Sequence, residues 1–183
     1  VFPSVLPALD ERLRQAWIEA GFDVELLREP GVLPRIRFGT WVGGDRDGHP
    51  GVTAEVTAET LERLRVNALL VAYNLLTNLS TSLSLTSWMQ APPQVLLDAI
   101  EAHETALGAD VPPVSHKDEP WRRCVELMAA RLPLEQTSGR LAQLSEGAGK
   151  YAHPHELLAD LDVLSNSLEQ VGGKRLVDSD VSA

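Results

Sequence analysis

The chain has 183 residues, 44% of them hydrophobic and 23% charged, the balance of a folded globular protein and not of a disordered one. Its net charge of −10 excludes a broad nucleic-acid or anionic-membrane surface, since both need a basic face; a small anion could bind only at a locally basic spot. Cys124 is the single cysteine, so no disulfide forms within the chain, and the apolar stretch from Ala68 to Leu76 is broken by Tyr73 and Asn74 short of membrane-spanning length, which together suit a cytoplasmic protein.

In chain order the elements are mostly helices. The opening "VFPSVLPALDERL" has neither an initiator methionine nor a basic-then-apolar leader, and the closing "RLVDSDVSA" ends on small polar residues, so the sequence reads as an excised segment. From Pro7 to Ala20, Leu9, Leu13, Ala16, Trp17 and Ala20 share one helical face, and Gly21 suits a C-terminal cap. "VLPRIRFGTW" alternates Arg35 and Arg37 with Ile36 and Phe38, the period of a short strand. The longest helical pattern follows in "VTAEVTAETLERLRVNALLVAYNLLTNLSTSLS". Leu61, Leu64, Ala68, Val71, Ala72, Leu75, Leu79 and Leu83 are expected inward, Thr53 or Thr57 can cap the start, and Glu55 and Glu59 complement the helix dipole. A third helix should start near Pro92 and Pro93, bury Val95, Leu96, Ala99, Ile100 and Leu107, and stop at Gly108. A fourth opens at Pro120 with Trp121, Cys124, Val125 and Met128 inward, until Pro133 breaks or kinks it. Pro154 opens the last, with Leu157, Leu158, Leu161, Leu164, Leu168 and Val171 inward and Gly172 and Gly173 at its end. The expectation is a mainly α protein, a helical bundle with one short strand, forming a single segment over residues 1–183.

One loop stands apart. "FGTWVGGDRDGHP", residues 38–50, places Trp41 beside Gly43 and Gly44, then Asp45, Arg46 and Asp47, then His49. Glycines let the backbone approach a ligand and turn its N–H groups toward an anion, and a guanidinium fork matches carboxylate or phosphate oxygens. Asp45 and Asp47 can steady Arg46, and Trp41 can form an apolar wall. The competing reading, slightly favoured on pattern alone, is a tight loop whose Asp–Arg–Asp run bridges itself. Calcium is excluded: aligning an EF-hand on Gly48 puts Gly43 at its first position and Ala54 where the bidentate glutamate belongs. A Walker loop is excluded because no Gly-Lys-Ser/Thr follows the glycines.

Residues 38–57, "FGTWVGGDRDGHPGVTAEVT", resemble the F-x-S-W-x-G-G-D-R-D-G-N-P-x-V-T-x-E/D-V/I-T stretch of the phosphoenolpyruvate carboxylase family. Weaker resemblances continue in "KDEPWRRCVELMAARL" and "YAHPHELLADLDVLSNSL". The resemblance implies an enzyme that carboxylates phosphoenolpyruvate with bicarbonate to oxaloacetate and phosphate, through carboxyphosphate and an enolate, with Mg2+ holding the substrate and four copies per assembly. It implies that Trp41 walls the methylene group, and that Gly43, Gly44, Asp45, Arg46 and Asp47 line or organise the same site, Arg46 either touching the substrate or locked by its aspartates. It also implies that the strand at Ile36 to Thr40 would help complete the family's helix-rich barrel.

Departures qualify this. The family's asparagine is His49 here, its serine before the tryptophan is Thr40, and the run Ala129, Ala130, Arg131 lacks an arginine that family members commonly carry and that is sometimes linked to sugar-phosphate activation. Neither a T-A-H-P-T stretch nor a G-R-G-G loop occurs, nor an acidic pair in the family's metal-binding context, so this segment is expected to bind no metal and to be inactive alone. His153 and His155 flank Pro154 and read as helix-start surface, not as ligands. The remaining alternatives are a non-catalytic helical binding module that keeps the GGDRDG loop for an anion or a partner protein, and a purely structural bundle.

Overall fold

The computed structural model describes residues 2–27, 39–44, 50–135, 142–145 and 147–173. It divides into two compact units, one of Val1–Thr57 with Ser182–Ala183 and the other of Ala58–Val181.

In the first unit, helix α1 spans Phe2–Glu19 and starts five residues earlier than the hydrophobic period suggested. Pro3 falls in its first turn, where no amide partner is needed. Gly21 follows with φ 79°, the left-handed conformation of a helix stop. A 3-10 turn at Val24–Leu27 returns toward the helix: Trp17 donates its indole N–H to the Asp23 carbonyl at 2.9 Å, and its ring lies 4.7 Å from that of Phe22. Arg14 reaches the Leu27 carbonyl at 3.3 Å. The strand expected at Arg35 to Phe38 lies outside the described residues, and Gly39 and Thr40 are not in a strand.

Helix α2, Ala54–Ser82, begins in the first unit and continues through the second. Thr53 caps it, accepting the Val56 N–H at 3.3 Å. Its inward face differs from the expected one. Leu76, Leu79 and Ser80 are buried and Leu69, Ala72 and Tyr73 pack beside them, whereas Leu61, Leu64 and Leu75 are exposed.

The second unit holds the main core. Helices α3 (Gln94–Leu107), α4 (Pro120–Ala130) and α5 (Pro154–Gln170) start and stop close to where proline and glycine mark them. Leu83, Leu96, Trp121, Cys124, Val125, Met128, Leu164 and Leu168 are each at most 1% exposed and form one cluster. Full burial of one such side chain contributes about 1.5–3 kcal/mol. The polar tip of Trp121 is satisfied inside that cluster, donating to Ser167 Oγ at 3.0 Å, and Ser167 passes its own hydrogen to the Leu164 carbonyl at 2.7 Å. Arg123 clamps α4 to α3, donating to Glu104 Oε1 at 2.8 Å and to the Pro112 carbonyl at 2.9 Å. Leu158, expected inward on α5, is exposed, and Leu157 and Leu161 are half-buried against the core. Beyond α4 the chain forms a small antiparallel sheet that the sequence pattern missed: β1, Leu134–Glu135, pairs with β2, Gln143–Leu144.

Candidate functional site

The described part of loop 38–50 is a tight turn built by its own small residues. The Thr40 hydroxyl accepts the Val42 N–H at 3.2 Å, so threonine supplies here the hydroxyl that a serine would. Gly44 N–H closes on the Trp41 carbonyl at 3.2 Å. The position between Val42 and Gly44 has φ 67°, and it is Gly43, since a side chain in the left-handed region costs about 1–2 kcal/mol. Trp41, at the head of this turn, is 81% exposed, the exposure expected of an indole flanked by glycines, and Val42 beside it is also open. Trp41, Gly43 and Gly44 are therefore brought together in one turn. Asp45, Arg46, Asp47 and His49 lie outside the described residues.

The first turn of α2 serves this loop. Thr57 donates its hydroxyl to the Gly43 carbonyl at 2.8 Å. Two residues upstream, the Thr53 hydroxyl and the backbone amide of Glu55 hold the Glu55 carboxyl below the ordinary carboxylate range, which favours negative charge at this helix start.

A second polar assembly, inside the unit of Ala58–Val181, was not anticipated. Arg131, the residue closing α4, donates Nη1 to His103 Nδ1 at 2.9 Å and Nε to the Gly149 carbonyl at 2.9 Å, and lies 4.3 Å above the Tyr151 ring. Tyr151 donates to Asp160 Oδ2 at 2.6 Å, and Arg131 Nη1 stands 3.4 Å from the same oxygen. His103 is 2% exposed. Desolvation lowers its pKa; the Asp160 carboxylate works in the opposite direction, and Arg131 adds to the lowering. Burial, with the hydrogen bond to Asp160, pushes the Tyr151 phenol well up, and burial raises the Cys124 thiol to about 12. All three groups are thus held neutral near pH 7, and the assembly joins α3, α4, α5 and the Gly149–Tyr151 stretch without a free nucleophile. One signal for it was present in the sequence: His103 shares the helical face of Leu96, Ile100 and Leu107.

His153 and His155 stack their rings 5.3 Å apart at an exposed helix start, and Glu156 accepts the His153 N–H at 2.9 Å. His153 is the N-cap of α5, and both residues lie on the surface at the helix start, as the sequence suggested. Among the described residues no group of three His, Cys, Asp or Glu side chains is placed to share a metal, and no helix is long and apolar enough to cross a membrane.

The family described as "Phosphoenolpyruvate carboxylase" matches residues 1–183. A phosphoenolpyruvate carboxylase of Xanthomonas campestris pv. campestris is 37% identical over 172 residues, covering 92% of this chain and 18% of the relative. Another, of Caulobacter vibrioides, is 34% identical and covers 81% of this chain and 16% of the relative. A third, of Mycolicibacterium paratuberculosis, is 32% identical over 183 residues, covering 97% of the chain and 18% of the relative. No solved structure matches. The chain spans about a fifth of the length of these curated relatives, and with the whole of it matched by one family model, it belongs to the phosphoenolpyruvate carboxylase family.

Proposed function

We propose that residues 1–183 form a single helical segment of an enzyme that joins bicarbonate to phosphoenolpyruvate, releasing oxaloacetate and phosphate, and that loop 38–50 lines its substrate site. The observation that carries this reading is Trp41, a large apolar side chain left 81% exposed at the head of a glycine turn. An indole in that position offers a wall to a small apolar group such as the methylene of phosphoenolpyruvate, and the glycines after it let the backbone come close to the bound molecule. Arg46 then balances negative charge as the enolate forms.

The family implies a metal in the intact enzyme, and we take it to be Mg2+. Among the described residues none gather into a three-ligand group that would hold it, and no step is routed through it here. A cytoplasmic location, an assembly of four copies and a role in carbon dioxide fixation that feeds oxaloacetate to the tricarboxylic acid cycle go with the same reading.

The test is turnover. In a polypeptide of family length carrying this segment, oxaloacetate should form only when phosphoenolpyruvate and bicarbonate are both present. Trp41→Ala should raise KM for phosphoenolpyruvate by roughly tenfold, the effect of losing about 1.4 kcal/mol of apolar contact. The 183-residue chain alone should stay at background. Binding of phosphoenolpyruvate by the long polypeptide without turnover would instead identify an anion-binding module.

A further inference from the structure

Resting on the reading of loop 38–50 just given, we propose that Thr57 is a positioning residue for that loop, its hydroxyl fixing the Trp41–Gly44 turn to the first turn of α2.

The geometry selects one role for the hydroxyl. It lies 2.8 Å from the Gly43 carbonyl and 3.1 Å from the Thr53 carbonyl, and it has a single hydrogen to give. The Thr53 carbonyl already accepts the Thr57 backbone N–H at 3.1 Å. Among the described residues no other donor reaches the Gly43 carbonyl, so the shorter contact is also the one that is needed.

What this bond controls is the plane of the peptide joining Gly43 to Gly44. Its oxygen is held by Thr57, and its N–H is held by the Trp41 carbonyl at 3.2 Å. With both ends of that peptide engaged, its plane is held in one orientation. Apolar packing does not do this work, because Trp41 and Val42 are exposed and Gly44 is open. A net hydrogen bond contributes only about 0.5–1.5 kcal/mol, yet in a segment with Gly39, Gly43 and Gly44 that is enough to decide the orientation.

The experiment compares Thr57→Val, which keeps the shape and loses the donor, with Thr57→Ser, which keeps the donor, in the family-length polypeptide, with Trp41→Ala as an independent probe of the loop. Thr57→Val should raise KM for phosphoenolpyruvate about five- to tenfold, with a smaller change in kcat. Far-UV circular dichroism should not change. Thr57→Ser should stay within about twofold of the parent. If Thr57→Val does not accumulate as folded protein, Thr57→Ala takes its place in the same assays. An unchanged KM in Thr57→Val beside a raised KM in Trp41→Ala would overturn the tether and leave the loop reading standing. An unchanged KM in both would remove the loop reading and the tether with it. Equal damage from Val and Ser would make the position a matter of packing and overturn the role of the hydroxyl.

Discussion

The Arg131 guanidinium donates to Nδ1 of His103 at 2.9 Å and thereby fixes the tautomer of a buried histidine. A guanidinium only donates, so Nδ1 must accept and the ring hydrogen sits on Nε2, which has no hydrogen-bond partner among the described residues and lies 3.8 Å from Asp160 Oδ2. Protonating the ring would place a second cation against Arg131 inside the core.

That arrangement sets a pH dependence. The folded pKa of His103 lies below the ordinary 6.5. Above about pH 6.5 both folded and unfolded chains carry a neutral ring and the stability is fully present. Below it the unfolded chain takes up a proton that the folded one refuses, so stability is lost as pH falls toward the folded value. The urea midpoint of the chain should therefore drop between pH 7.5 and 5.5, and His103→Asn, which keeps an acceptor for Arg131 but does not titrate, should flatten the drop. An equal slope in the variant would move the effect to other groups.

Gly149 should be irreplaceable. Its φ is 80°, and a Cβ there would strike the backbone carbonyl of Ala106 in α3, with the Ala106 carbonyl carbon only 2.6 Å away. Gly149→Ala should cost about 3 kcal/mol or more, from a positive-φ backbone penalty of about 1–2 kcal/mol together with the backbone clash. Gly108 has φ 55° and ψ −113° but nothing within 4 Å, so Gly108→Ala should cost only the conformational part, about 1–3 kcal/mol. The lone thiol provides the readout, because Cys124 is 1% exposed with its pKa raised to about 12 and reacts only when the core opens. Labelling of Cys124 should be much faster in Gly149→Ala than in Gly108→Ala, and equal rates would contradict the clash.

How far the sequence could be read follows from which residues act locally. Pro120 and Pro154 start their helices because a missing N–H is harmless there, and Gly108 stops α3 by its own conformation. The face of α2 was misread for a physical reason: Leu61, Leu64, Leu69, Leu70, Leu75, Leu76 and Leu79 surround the helix, so periodicity cannot choose a side, and the packing of Leu76 and Leu79 into the core cluster makes the choice. The pairing of Leu134 with Leu144 is too short to leave an alternating pattern. The bond between Arg131 and His103 joins residues 28 apart, a distance at which local pattern is silent. The turn at Trp41 to Gly44 was legible because its glycines, its threonine and its exposed indole lie within one short stretch.

The most direct test of the account is Arg46→Lys in the family-length polypeptide, assayed for oxaloacetate formed from phosphoenolpyruvate and bicarbonate. Lysine keeps the charge but loses the planar fork, and removing one donor aimed at developing negative charge typically lowers the rate by about 10²–10³. The account predicts a fall of well over tenfold in kcat/KM with the fold intact. A folded variant that turns over within about twofold of its parent would contradict the claim that residues 38–50 form part of the substrate site.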